Sequence, residues 1–224
     1  MLRAILFDFD GTLADTIPAI TEGINLAMEQ YGFPTHTEAE VLSYINNGPR
    51  KLITRALPKE HQGDESLIDR VLADYTALYD GIFLHTDRPY DGIFPVLHAL
   101  RAEGYVIGVL SNKQDFLLRR FCDVVLPGLC DGVLGTFPGK PTKPDPQMTL
   151  QLTDALGVDP ADCIMIGDSD VDIRTAQNVG MTHIGVTWGY RTGDFLRENG
   201  AIHLANTPEE LLLKIQQLSA GKDD

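Results

Sequence analysis

The sequence predicts an α/β fold: a parallel sheet with helices on both faces, and a helical segment inserted after the first strand. Short apolar runs alternate with stretches of helical periodicity, the pattern of consecutive strand–helix–strand units. Residues from about 17 to 85 break that rhythm, with helical spacing and no convincing strand between.

The elements follow in order. Residues 4–9 read as the first strand, and the mostly apolar run from Leu2 to Phe7 suits one buried on both faces. Thr16 is placed to cap the entering helix, with Pro18 in its first turn. Ile17, Ile20, Ile24 and Ala27 recur at helical spacing, as do Leu67, Val71, Leu72, Tyr75 and Leu78. Hinges are expected at 13–18 and 80–91. This divides the chain into a core of residues 1–15 and 89–224 and a helical cap of residues 16–88. Within the core, strands are expected at 106–110, 163–166, 183–186 and, more weakly, 201–204. Shorter strand pieces are expected at 124–126 and 132–134. Helices are expected at 95–103, 115–122, 146–155, 171–179 and 208–218.

The bulk properties narrow the function. A chain of 224 residues suits one domain with an insertion and can bury a sizeable core. Its 43% hydrophobic and 22% charged residues are ordinary for a globular protein. A net charge of −14 makes it a poor non-specific partner for nucleic acid or an anionic membrane. No apolar run approaches a membrane span. Met1-Leu2-Arg3 leads into the first strand with no secretory leader, and the C-terminal 221–224 reads as a frayed tail. Cys122, Cys130 and Cys163 show no C-x-x-C spacing, and an odd count in a chain this long argues for a reducing compartment. The expectation is a cytoplasmic protein.

The chemistry gathers at strand ends. Asp8-Phe9-Asp10-Gly11-Thr12-Leu13 puts two carboxylates two residues apart where the first strand runs out. Anions that close are tolerated when one is protonated or a cation neutralises them. Ser111-Asn112-Lys113 follows the 106–110 run, and Lys143 lies in the proline-stiffened Lys140-Pro141-Thr142-Lys143-Pro144-Asp145-Pro146. Gly167-Asp168-Ser169-Asp170-Val171-Asp172 ends another buried run in three aspartates. Helix capping accounts for one or two of them. In an open α/β sheet ligands bind at the carboxyl ends of the strands. An oxygen-only cluster there suits a hard cation, and Mg²⁺ fits best if a phosphate completes its shell. The six histidines show no metal-ligand spacing.

These four segments, in this order, resemble the motifs of the haloacid dehalogenase-like hydrolases. The helical insertion after the first motif extends the match. Within the family, Asp15-Thr16, Asn46-Asn47-Gly48, Asn112-Lys113 and Trp188-Gly189-Tyr190 resemble phosphoglycolate phosphatase-like members. The resemblance implies a Rossmann-like core and a role for each motif residue. Asp8 is the expected nucleophile, forming an aspartyl-phosphate, and Asp10 the expected general acid and base. Asp8, the backbone carbonyl of Asp10, and Asp168 are the expected Mg²⁺ ligands. Asp172 would orient Lys143 or a metal-bound water. Ser111 and Lys143 would hold the phosphoryl oxygens, with Asn112 in support.

Having Asp10, Lys143 and Asp168 together favours phosphate esters over carbon–halogen bonds. The leading expectation is a Mg²⁺-dependent phosphatase for a small phosphomonoester, with phosphoglycolate the first substrate to test. A β-phosphoglucomutase-like mutase, a pyrophosphatase of the same family and a non-enzymatic binding protein are the alternatives. Gly48-Pro49-Arg50-Lys51 is read as a mobile cap loop in which Arg50 or Lys51 meets a substrate carboxylate. Trp188 is read either as lining the entrance or as structural. No nucleic acid or membrane partner is expected, and the oligomeric state is not legible.

Overall fold

The computed structural model describes residues 2–45 and 47–221. Asn46, one of the residues carrying the resemblance, and the terminal positions 1 and 222–224 lie outside them. In chain order the elements are β1 (Ala4–Phe7), β2 (Ala14–Asp15), α1 (Ile17–Gln30), α2 (Glu38–Tyr44), α3 (Pro49–Ala56), α4 (Glu65–Thr86) and β3 (Arg88–Pro89). Then come α5 (Ile93–Ala102), β4 (Val106–Gln114), α6 (Asp115–Val125), β5 (Gly132–Thr136) and α7 (Pro146–Leu156). The last are β6 (Cys163–Gly167), α8 (Asp170–Asn178), β7 (Thr182–Val186), α9 (Gly193–Glu198), β8 (His203–Ala205) and α10 (Pro208–Ala220). Residue contacts divide the chain into two units, Met1–Ala14 with Pro89–Asp224, and Asp15–Arg88. The two-residue strands β2 and β3 mark the crossings and pair as a small ribbon.

The first unit is built on a six-stranded sheet in the order β5-β4-β1-β6-β7-β8. Its pairings are parallel, in register from Ala4 beside Val106 and Cys163. Central strands of such a sheet are covered on both faces, and Ala4, Ile5, Leu6 and Phe7 are accordingly fully buried. Alternate residues serve opposite layers. Ala4, Leu6, Cys163 and Met165 pack with Met148 and Leu152 of α7 and Ala176 of α8. Gly108 and Gly132 admit the α7 side chains: a Cβ at Gly132 would lie 2.8 Å from Leu156. The strand order reverses at β1, so the switch-point crevice opens at the carboxyl ends of β1, β4 and β6.

The second unit is helical, with α1 packed along α4. Thr37 and Glu40 form a reciprocal capping box at the start of α2.

Several expectations are corrected. The first strand ends at Phe7, because Phe9 and Asp10 turn back to meet Leu13 and Ala14. Strand β4 runs on through Ser111–Lys113 to Gln114, with a register shift against β5 after Leu110. The 124–126 piece belongs to the end of α6 and the residue after it, not to a strand. Thr16 occupies the N-cap position of α1 but its side chain makes no cap bond; Asp15 Oδ1 accepts from Ile17 N at 3.4 Å instead. Residues 49–51 are not loop but the first turn of α3, with Pro49 at the helix start.

Candidate active site

Asp8 sits one residue beyond β1, its N–H still donating to Ile166 O at 2.8 Å. Asp168 sits one residue beyond β6. Asp172 is in the first turn of α8, where Ser169 and Asp172 cap each other. Carboxylate oxygens of Asp8, Asp168 and Asp172 all lie within 4.8 Å of one another, and this is the single such cluster of potential ligands among the described residues. The loop carrying Lys143 delivers one ammonium into it. Lys143 Nζ lies 2.7 Å from Asp8 Oδ1 and 2.7 Å from Asp172 Oδ1.

Burial sets the electrostatics. It pushes the Asp8 carboxyl up to about 7, with Lys143 opposing the rise and Asp172 adding to it. Burial, then Asp172 and Asp8, likewise hold Asp168 well above the usual carboxylate range. For Lys143 burial works against the charge, but Asp172 and Asp8 outweigh it and raise the ammonium above its ordinary value. When all three carboxylates are ionised they outnumber the one ammonium by two charges, which a divalent cation would balance.

The donor set fits such an ion. Asp168 Oδ1 is buried with no hydrogen-bond partner, while its Oδ2 accepts from Tyr190 N at 2.6 Å. One oxygen is thus fixed by the backbone and the other is left over. Both oxygens of Asp172 already accept hydrogen bonds. Its Oδ1 accepts from Lys143, and its Oδ2 accepts from Ser169 N and Oγ at 3.1 and 2.6 Å.

Asn112 and Lys143 are joined by a reciprocal bond. Asn112 Nδ2 donates to Lys143 O at 3.0 Å, and Lys143 N donates to Asn112 Oδ1 at 2.8 Å. The pair fixes the lysine-bearing loop to β4. Ser111 is buried at the same strand end, its Oγ accepting from Lys113 N at 3.3 Å.

Two residues named in the sequence analysis without a role complete the picture. Lys113 is buried, with Nζ 2.9 Å from Asp10 Oδ1 and 5.2 Å from the centre of the Phe9 ring. The Ser-Asn-Lys triplet was its signal. Gly189 lets the loop after β7 close on the first motif: a Cβ there would lie 2.2 Å from Gly11 O and 2.5 Å from Asp168 Cβ. Trp188 Nε1 donates to Thr12 O at 3.1 Å, which ties the same two loops together.

Arg50 and Lys51 belong to the other unit. The Arg50 guanidinium is held by Glu65 and Asp69 of α4. These ion pairs lie within its own unit, between half-exposed and exposed side chains. Lys51 is exposed on α3.

His183 on β7 was assigned no role. Both its ring nitrogens are buried without a hydrogen-bond partner. Burial lowers its pKa to about 4, with Asp172 opposing and His203 and Lys143 assisting. The unfolded chain takes up this proton near the ordinary value of 6.5, so His183 contributes full stability above that pH. The contribution falls away as the pH drops towards 4. A His183→Leu variant should lose about 3 kcal/mol of this acid sensitivity, read as a flatter decline of urea stability between about pH 6.5 and 4. An unchanged acid limb would contradict it.

Comparisons with known proteins agree with this geometry. The family model for haloacid dehalogenase-like hydrolases matches residues 5–186. The chain belongs to the haloacid dehalogenase-like hydrolases. Among curated members, the phosphoglycolate phosphatase of Vibrio vulnificus strain YJ016 is 32% identical, over 94% of this chain and 95% of its own length. That of Xylella fastidiosa strain Temecula1 is 31% identical, over 85% and 82%. A crystal structure from Lactobacillus delbrueckii subsp. bulgaricus superposes with a TM-score of 0.87 at 31% identity, over 95% of this chain and 98% of that one. Its own assignment as a phosphoglycolate phosphatase is a prediction. Other solved structures with TM-scores near 0.8, including one from Bacteroides vulgatus at 0.79 and 21% identity, share the fold. Among the described residues, no helix is long and apolar enough to cross a membrane.

Proposed function

We propose that this haloacid dehalogenase-like hydrolase is a Mg²⁺-dependent phosphatase of a small phosphomonoester, with 2-phosphoglycolate as its first candidate substrate. The observation that carries the reading is the buried cluster of Asp8, Asp168, Asp172 and Lys143, in which carboxylates outnumber the ammonium and Asp168 Oδ1 is unpartnered. Asp8, Asp168 and the main-chain carbonyl of Asp10 would hold Mg²⁺. The ion supplies positive charge beside the transferring phosphoryl group and keeps Asp8 from repelling a dianionic substrate.

The chain's own groups do the rest. Asp8 attacks phosphorus and becomes the aspartyl-phosphate. Asp10 gives a proton to the leaving oxygen, then takes one from the water that hydrolyses the acyl phosphate. Lys113 holds the Asp10 carboxylate at the strand end. Lys143 and Ser111 bind phosphoryl oxygens, while Asp172 and Asn112 keep Lys143 in place. Phosphoglycolate is favoured because the curated relatives named above carry that activity in their names over nearly the whole of this chain. The three free cysteines fit a reducing, cytoplasmic setting.

The test is phosphate release from 2-phosphoglycolate, glucose 1-phosphate, pyrophosphate, a nucleoside monophosphate and p-nitrophenyl phosphate, with Mg²⁺, Ca²⁺ or EDTA. Mg²⁺ should support turnover and EDTA should abolish it. Ca²⁺ should bind without supporting turnover, since its larger shell draws in both oxygens of Asp8 and leaves none for attack. Full activity in EDTA would refute the metal assignment. Isomerisation of glucose 1-phosphate with little phosphate release would refute the phosphatase reading in favour of a mutase.

A further inference from the structure

We propose that Lys113 is the positioning residue for proton transfer by Asp10, and that it equips the site to expel an alkoxide rather than only a good leaving group. The proposal rests on the phosphatase reading above. Lys113 Nζ lies 2.9 Å from Asp10 Oδ1, with the lysine side chain 6% exposed and that of Asp10 22% exposed. One carboxylate oxygen is thus held from the protein side while the group keeps part of its surface accessible.

The backbone of β4 is built to deliver this ammonium. Between the pairings Leu110–Leu134 and Gln114–Thr136, β4 advances from 110 to 114 while β5 advances only from 134 to 136. Bulges of this kind bend a strand and re-aim its side chains, and they recur beside active sites. Lys113 lies in the bulged stretch and is fixed at both of its main-chain groups. Its N–H donates to Ser111 Oγ at 3.3 Å, and its carbonyl accepts from Thr136 Oγ1 at 3.2 Å. Glycine at 135 permits this approach, since a Cβ there would lie 2.6 Å from Lys113 O. Two residues on, Asp115 opens α6, and its Oδ1 accepts from Gly135 N at 2.9 Å. The tip of the side chain is confined as well. Nζ stands 5.2 Å from the centre of the Phe9 ring, and Phe9 packs edge-on against Phe121 of α6 with ring centres 4.6 Å apart. An ammonium within about 6 Å of an aromatic ring is attracted to its face. Lysine ordinarily samples many rotamers; this one is set by the bulge at its base and by the ring and carboxylate at its tip.

The consequence is chemical. With Oδ1 engaged by the ammonium, Oδ2 carries the exchangeable proton. As the bond from phosphorus to the leaving oxygen breaks, its electron pair goes to that oxygen. Asp10 Oδ2–H gives the same oxygen its proton, and Asp10 becomes the carboxylate that later takes a proton from water. The need for this proton rises with the basicity of the leaving group: an alkoxide requires it, whereas p-nitrophenolate departs without it. A misplacement of about 1 Å can cost roughly 10²-fold in rate. Loss of Lys113 should therefore fall on alkyl esters far more than on aryl esters.

The test compares kcat/KM of Lys113→Met for the best alkyl phosphate among those named above and for p-nitrophenyl phosphate, because kcat/KM reports the phosphorylation half-reaction. The ratio of the alkyl to the aryl value should fall about 10–10²-fold, with circular dichroism matching the parent. Lys113→Gln keeps a shorter, neutral donor. It should lie between the parent and Lys113→Met, and it carries the test if the methionine variant does not fold. In an Asp10→Asn background, Lys113→Met should cost the alkyl ester no more than about twofold further, since a residue that works through Asp10 has nothing left to position. Equal losses on both esters, or a full further loss in the Asp10→Asn background, would overturn the positioning role and leave the phosphatase reading standing. A parent protein that releases phosphate from neither ester would overturn the phosphatase reading itself, and this proposal with it.

Discussion

Asp8→Asn should abolish turnover while leaving the fold intact. The amide nearly matches the carboxylate in shape, yet it is a poor nucleophile and carries no charge for a cation. The loss should be roughly 10⁴-fold or more in kcat, the scale on which removing a nucleophile acts. Asp10→Asn should cost less, about 10²–10⁴-fold, because it removes proton transfer alone. The two differ in kind as well as size. With Asp10→Asn both half-reactions are slowed, but an aryl phosphate, whose leaving group needs no proton, should still load Asp8 and leave phosphate on the acid-quenched protein; with Asp8→Asn it should leave none. Wild-type turnover in Asp8→Asn would remove the assignment. Stability offers an independent readout. Burial and Asp172 raise the pKa of Asp8, so its ionised form is a liability in the metal-free protein. At about pH 8 without metal, Asp8→Asn should be at least as resistant to urea as the parent.

Lys143→Met should have the second largest effect. The ammonium is the cation 2.7 Å from both Asp8 and Asp172, and it is almost wholly buried. Methionine fills most of the space but leaves the carboxylates facing one another. Removing one partner of a buried ion pair typically costs about 3–5 kcal/mol. The cost has a pH signature. Asp8 and Asp168 have raised values in the folded state, so at low pH they take up protons and the repulsion relaxes. The variant's deficit should be large at about pH 8 and shrink towards pH 5. Urea unfolding of both proteins in EDTA at the two pH values measures it. An equal deficit at both would point to lost packing instead, and no deficit would mean that Lys143 does not balance the cluster. On the proposed role of Lys143 in binding a phosphoryl oxygen, activity with Mg²⁺ present should also fall.

The centre of the sheet was legible because β1 and β6 are fully buried. Ala4–Phe7 and Cys163–Gly167 expose almost nothing, so their sequences are unbroken apolar runs. The acidic cluster was legible for the opposite reason, since acidic tips on such runs have no packing explanation. What stayed hidden was short or half-exposed. Helices α2 and α9 are seven and six residues long, too short to show a period. The continuation of β4 through Ser111–Lys113 was concealed because polar residues usually mark a strand's end. Gly189 was hidden because the need for glycine there arises from atoms of Gly11 and Asp168, which no local sequence pattern displays. Arg50 shows the same limit: its partners Glu65 and Asp69 lie on another helix.

The reciprocal bond between Asn112 and Lys143 bears on how the site responds to ionic strength. Both of its links are neutral amide hydrogen bonds, so dissolved ions do not screen them. Exposed ion pairs such as those of Arg50 are weakened as the Debye length falls from about 10 Å at 0.1 M salt to 3 Å at 1 M. The lysine loop therefore keeps its register on β4 from dilute buffer to brine. Salt should act on this protein chiefly through competition for the phosphate-binding charges, appearing in KM before kcat.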